Sequence, residues 1–308
     1  MANRDLVSWR GYWPASTTPF DAEGHLDLAM LSALMDLYVS QGMHGIVVNG
    51  SSGEWFSQTT DERRAVADTA ISAVGGRVPV LVGCSSLRFA DTLELLAHAA
   101  STGAAGALVS LPPYMVLDDR EAVSYFEAVA AESSIPIMAY NWPPGTNVDM
   151  SASLLKRIAA ISNVVAVKES TTDGAKAIET VKLLSAEVRI FVDLMSASGV
   201  DVLTQIGGDG YIGGGALLGR ALPRFYEAIW SGDLAAARAL GETVSAFHAA
   251  LTKEDWSGVF GPAQSQLKAA MNILGQPGGF PRFPRRSLSD DGTLERLATA
   301  LSPAHAWQ

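Results

Sequence analysis

Lys168 ends the run Val164-Val165-Ala166-Val167-Lys168, in which every other residue is aliphatic. Side chains alternate between the two faces of a strand, so Lys168 is expected to share a face with Ala166 and Val164. An ammonium held against such a face is poorly hydrated, which lowers the lysine pKa. The neutral amine can then attack a carbonyl and form a Schiff base. Tyr140 ends Pro136-Ile137-Met138-Ala139-Tyr140 in the same way. Adjacent parallel strands lie about 4.8 Å apart, so two inward side chains at one level meet. A phenol in that place can move protons while a carbinolamine loses water. Gly50-Ser51-Ser52-Gly53-Glu54 follows a third apolar run and offers free N–H groups and two hydroxyls, a nest for a carboxylate. Amine, proton relay and anion cradle together match the needs of 2-oxo acid chemistry. The bland alternative is a strand-end lysine that reaches solvent or pairs with Glu169.

These residues need a frame that brings strand ends together. Short Val- and Ile-rich runs fall at 13–18, 45–49, 78–83, 107–111, 136–140, 164–168, 189–193 and 210–212. They are nearly continuous rather than alternating, as parallel strands covered on both faces require. Amphipathic segments separate them. Leu31, Leu34, Met35 and Tyr38 form one helical stripe, as do Leu93, Leu96, Ala97 and Ala100. Thr59 and Glu62 make a capping box. Eight β-α units suit a closed (β/α)8 TIM barrel, with a doubly wound open sheet as the competitor. Helical patterns at 222–230, 234–251, 263–274 and 292–301 exceed what one closing helix needs. The expected organisation is therefore a barrel over 1–225, with the last helix and a C-terminal helical appendage over 226–308 in the same structural unit.

Composition excludes several classes. The 308 residues are 48% hydrophobic and 18% charged, too apolar for intrinsic disorder. Lys plus Arg is 22 against Asp plus Glu 32, a net charge of −10, and no basic stripe exists. Nucleic acid is thus not an expected partner. The longest uncharged stretch, 95–117, contains His98, two glycines and Pro112-Pro113, so no membrane span is expected. The first residues lack an apolar signal core, and the expected location is cytoplasmic. The single cysteine, Cys84, lies in an apolar run and reads as a buried, inert thiol. Gly208-Asp209-Gly210-Tyr211-Ile212-Gly213 matches a dinucleotide fingerprint in letters only. It overlaps the eighth strand, and the glycines that follow spoil an immediate helix.

The segments Pro14-Ala15-Ser16-Thr17-Thr18-Pro19-Phe20, Gly50-Ser51-Ser52-Gly53-Glu54, Pro112-Pro113-Tyr114, Tyr140-Asn141 and Val167-Lys168-Glu169 occur in order and with matching spacing. Together they resemble the N-acetylneuraminate lyase and dihydrodipicolinate synthase family of class I, Schiff-base aldolases. The resemblance runs from residue 11 to about 275. It implies a lyase of (β/α)8 fold with C-terminal helices, acting on a pyruvate-type 2-oxo acid and an aldehyde. It also implies a homotetramer, a dimer of dimers, with no metal or organic cofactor. By the same resemblance Lys168 is the Schiff-base lysine, Tyr140 the proton-shuttling phenol and Ser51 the relay hydroxyl. Gly50 and Ser52 belong to the carboxylate cradle. Tyr114 matches a tyrosine that some members lend across a dimer interface, and Ile212 a main-chain contact to the pyruvyl group.

Departures from the family pattern bear on the second substrate. The synthases carry an arginine five positions after the tyrosine, where this chain has Gly145. Sialate lyases have an acidic pair after the seventh strand. Here Ala197 and Ser198 stand in that place, unless a gap brings in Asp193. The chain is therefore expected to be neither dihydrodipicolinate synthase nor sialate lyase proper. Trp55 and Trp142 flank the expected mouth and hint at an apolar or aromatic second substrate. The competing expectations are a dehydratase of a 2-keto-3-deoxy sugar acid and a non-catalytic barrel that binds a 2-oxo acid.

Overall fold

A computed structural model describes residues 2–308. Eight parallel strands close into a barrel in sequence order: β1 (Gly11–Ala15), β2 (Ile46–Val48), β3 (Val80–Gly83), β4 (Gly106–Ser110), β5 (Ile137–Asn141), β6 (Val164–Glu169), β7 (Arg189–Val192) and β8 (Gly210–Gly214). All eight strands expected from the apolar runs are present, shifted by a few residues at their ends. The first begins earlier than the pattern suggested, because Gly11 and Tyr12 complete the ladder to Gly210 and Tyr211.

The outer ring is formed by α1 (Leu28–Ser40), α2 (Thr60–Val74), α3 (Phe89–Ser101), α4 (Asp119–Glu132), the single turn α5 (Pro143–Thr146), α6 (Ala152–Ala159), α7 (Gly174–Leu184), α8 (Gly199–Gln205) and α9 (Ala221–Ser231). The Thr59–Glu62 capping box opens α2, satisfying both the Glu62 and the Thr59 N–H. Three further helices follow, α10 (Leu234–Leu251), α11 (Ala263–Ile273) and α12 (Asp291–Ala300). Among the described residues no helix is long and apolar enough to cross a membrane.

Two apolar layers result. Side chains between strands and helices form one continuous cluster, which also takes in Val244, Phe247, Met271 and Leu297 of the last three helices. The barrel interior is a second cluster of Trp13, Val47, Leu81, Leu108, Met138, Ala166, Phe191 and Ile212. Trp13 plugs the lower barrel, edge-on to Trp9 at 5.9 Å and to Phe191 at 5.4 Å. Gly45 makes room for it, since a Cβ there would sit 2.3 Å from the Trp13 ring. With its floor filled by aromatic rings, the barrel opens only at the C-terminal ends of its strands.

The face assignment at β6 needs one correction. Ala166 and Lys168 point inward as expected, but Val164 belongs to the outer layer and Val165 to the inner one. The ladder to β5 slips between Ile137 and Met138, leaving Val165 as an extra residue that breaks the strict alternation. From Ala166 onward the two strands are in step, so Tyr140 and Lys168 are direct register partners.

Candidate active site

Lys168 and Tyr140 stand side by side at the C-terminal mouth, with the Lys168 Nζ 4.2 Å from the centroid of the phenol ring. Lys168 is only 7% exposed and Tyr140 6%. Burial is the cause of the lysine's depressed pKa, about 7. Among the described residues no carboxylate lies within ion-pair distance of Lys168 to restore its charge. Glu169 does not serve, because it points the other way. Its Oε1 accepts from Asn141 Nδ2 at 2.7 Å, and its Oε2 lies 3.7 Å from Lys176 Nζ. Asn141 also donates to Asp149, which pairs with Lys176, and accepts from the Met150 N–H. This polar clamp lies behind β5 and β6, one residue beyond Tyr140 and Lys168.

Burial also raises the Tyr140 pKa, against the opposing pull of the Ser51 and Ser170 hydroxyls. The phenol therefore keeps its proton across the working pH range and is flanked by groups able to accept or return it. Ser51 sits in a 3₁₀ turn, Ser51–Gly53, immediately after β2. The turn is closed by Glu54 in the left-handed region, φ 54°. Glu54 is fully buried against Lys268 of α11 at 2.6 Å and accepts from the Arg282 N–H. The hydroxyl-bearing loop is thus fixed from the C-terminal helices.

Ser51, Ser52, Tyr140, Trp142, Lys168 and Ile212 all line one cavity of about 520 Å3. Three expected residues are not on its wall. Gly50 lies behind Ser51 as the N-cap of the turn. Tyr114 is 88% exposed and does not line its own chain's cavity. Ser198 is replaced on the wall by Ser196, to which its hydroxyl is hydrogen bonded at 3.2 Å. The residues after β7 turn back at Leu194, whose carbonyl accepts from the Ser196 N–H, so the inward position comes two residues earlier than counted. Trp55 is scaffold, stacked on the Arg63 guanidinium at 5.1 Å, while Arg63 ties down the carbonyls of Gly83 and Ser85.

Among the wall residues that sequence reasoning missed are Ser170, Tyr211, His248 and Trp256. Ser170 was within reach, since it lies two residues beyond Lys168 on the same face. Tyr211 comes from β8 and Asp193 directly follows β7, whereas His248 and Trp256 come from α10 and the turn after it. Asp193 does enter the cavity, as the gapped count allowed. Its Oδ1 accepts from the Met195 N–H at 3.3 Å and its Oδ2 lies 3.7 Å from His248 Nδ1. Burial raises its pKa, with His248 pulling the other way.

A closed parallel barrel with a buried amine and a phenol at its mouth places the chain among the TIM-barrel proteins. The sequence model of the dihydrodipicolinate synthetase family matches residues 8–302. An uncharacterized DapA-like lyase of Rhizobium meliloti is 34% identical over 280 residues, 90% of each chain. The 4-hydroxy-tetrahydrodipicolinate synthase of Bacillus subtilis is 30% identical over 291 residues, 92% of this chain and 96% of its own. Among solved structures, YagE of E. coli K12, a prophage protein of the dihydrodipicolinic acid synthase family crystallised with pyruvate, superposes with a TM-score of 0.85. That match has 26% identity and covers 97% of this chain and 99% of that one. The chain belongs to the dihydrodipicolinate synthetase family and is a lyase of that kind.

Proposed function

We propose that this chain forms a Schiff base between Lys168 and pyruvate or a closely related 2-oxo acid, then makes or breaks a carbon–carbon bond at C3. The observation that carries the reading is the buried, carboxylate-free Lys168 amine 4.2 Å from the Tyr140 ring. With a pKa near 7 the amine is substantially neutral at neutral pH. It attacks the C2 carbonyl carbon, and the Tyr140 phenol protonates the departing hydroxyl so that water leaves. Ser51 and Ser170 return a proton to the phenol. The iminium then acts as the electron sink, and loss of a C3 proton gives an enamine that adds to an aldehyde carbon. Water hydrolyses the new iminium and frees Lys168. The pyruvyl carboxylate fits the Ser51–Ser52 turn and the Ile212 backbone opposite it.

A role as dihydrodipicolinate synthase proper fits less well. The wall holds no arginine and no lysine besides Lys168, and Gly145 has no space for a side chain. A Cβ at Gly145 would lie 2.4 Å from Trp142 Cδ1, so the indole fills the place from which an arginine would reach. Tyr114 can join the relay only in an assembly of two or more copies.

The test is intact mass and peptide mapping after incubation with pyruvate and borohydride. A reduced pyruvyl adduct on Lys168, absent from Lys168→Ala, is expected. A folded protein that gives no adduct with pyruvate or longer 2-oxo acids would sink the reading.

A further inference from the structure

The cavity extends well beyond the space that pyruvate needs, and its distal part has a chemistry of its own. From the amine outward an unbroken row of rings leads to one carboxylate. The Tyr140 and Trp142 rings stack at 6.1 Å and 18°, and the Trp142 and Trp256 rings meet at 6.5 Å and 60°. Trp256 lies 5.5 Å from the His248 ring, which faces Asp193. Val244, Phe247, Leu251 and Leu267 complete the apolar wall.

Three polar side chains around this compartment are engaged within the fold, whereas the Trp256 Nε1 is buried without a partner. The Ser245 hydroxyl donates to the Gly241 and Met195 carbonyls. Gln266 is held by the Leu251 carbonyl and the Phe260 N–H, and Ser196 accepts from the Gly199 N–H. Asp193, one of whose oxygens accepts from the Met195 N–H, lies 3.7 Å from His248, too far for a direct hydrogen bond but a gap that a hydroxyl placed between them can bridge. A polyol would leave several hydroxyls against aromatic walls. A carboxylated or phosphorylated aldehyde would find no lysine or arginine there beyond Lys168. Trp256 is held at φ 64°, a strained backbone for a bulky residue, where its ring closes the compartment.

We propose that the second substrate is an aromatic aldehyde, its ring packed against the wall that Trp142 and Trp256 form together and a ring hydroxyl bridging Asp193 and His248. This deepens the Schiff-base reading and rests on it. The enamine C3 adds to the aldehyde carbon, and the aldehyde oxygen takes a proton to become a hydroxyl. Pyruvate plus aryl aldehyde thus gives a 4-aryl-4-hydroxy-2-oxobutanoate with no other reactant.

The experiment offers the wild-type protein pyruvate together with benzaldehyde, the three hydroxybenzaldehydes, glyceraldehyde or succinic semialdehyde, and detects products by mass. Pyruvate trapping on Lys168 is run in parallel. The expected result is kcat/KM at least tenfold higher for the best aryl aldehyde than for either aliphatic one, with a hydroxybenzaldehyde ahead of benzaldehyde. Trp256→Ala should cut the aryl-to-aliphatic ratio at least tenfold through the aldehyde KM, and Trp256→Phe should restore most of it. Asp193→Asn should remove the advantage of the hydroxyl. Pyruvate trapping together with a preference for an aliphatic aldehyde overturns this proposal and leaves the Schiff-base reading standing. Absence of trapping overturns both.

Discussion

The aliphatic walls around Lys168 act unequally on its two protonation states, since only the ammonium loses hydration by being there. Two pH dependences follow, with opposite experimental faces. For catalysis the neutral amine is required, so kcat/KM for pyruvate should rise with pH through a midpoint near 7. Because burial raises Tyr140 above its ordinary value, its loss of a proton should impose no fall up to about pH 9. A profile already flat at pH 6 would show that the amine is not the titrating nucleophile. Replacement of Tyr140 by Phe keeps the ring but loses the proton carrier, and should slow imine formation by about 10² to 10⁴, measured in a single turnover. For stability, the folded pKa lies below the unfolded value of about 10.4, so the unfolded chain binds the extra proton between those values. Stability should therefore rise with pH from about 7 to 10. Below that window the full penalty applies, and Lys168→Met should be more stable than the wild type by on the order of 2–4 kcal/mol at pH 6.5. Urea unfolding at pH 6.5 and pH 10 measures the gap, which should shrink at the higher pH.

At the scale of elements, the C-terminal helices do more than cover the barrel. Lys268 of α11 is buried, donates to the Thr18 and Phe280 carbonyls at 2.7 Å each, and pairs with Glu54. Arg282 adds a bidentate grip on Glu62, so the loop carrying Ser51 and Ser52 is held from both sides. Removing one member of a buried ion pair leaves the other charge uncompensated, which costs about 3–5 kcal/mol. Lys268→Met should lose stability in that range and raise the pyruvate KM, while Glu54→Gln/Lys268→Met should recover much of the stability. Additive losses in that double-mutant cycle would show that the pair is not coupled. This brace also marks where sequence reasoning stops. The strands were legible because a parallel strand covered on both faces must be apolar throughout, and Lys168 and Tyr140 stood out as the polar ends of such runs. The bulge at Val165 carries no letter signal, since every residue near it is aliphatic. Nothing local to α10 links His248 or Trp256 to Asp193 and Trp142, some 55 to 115 residues earlier, because only the folded path of the helices brings them over the mouth. Ser198 was misplaced because a turn of unknown length separates it from β7.

For the whole molecule, the question is whether one chain makes a complete site. Tyr114, at φ 78° and 88% exposed, lies in the loop after β4 and does not line its own cavity. Beside it in sequence Met115 and Val116 are exposed, and the loop after β3 exposes Leu87 and Phe89. An exposed apolar group of this kind, on a chain with net charge −10, is the ordinary mark of a covered interface. In a two-fold dimer the same patch meets itself, so the Tyr114 of each copy can reach the neighbouring site. The expected outcome is a stable dimer or tetramer at micromolar concentration by light scattering, and a dissociated, slower enzyme when Val116→Asp is introduced. Complementation separates a structural from a chemical role. Tyr114→Phe retains an intact Lys168, and Lys168→Ala retains an intact Tyr114. Chains of the two variants mixed through reversible unfolding should recover turnover that neither shows alone, because the mixed pair contains one site with both groups. Recovery fails if Tyr114 serves only its own chain, since no mixed assembly would then unite the phenol with the amine.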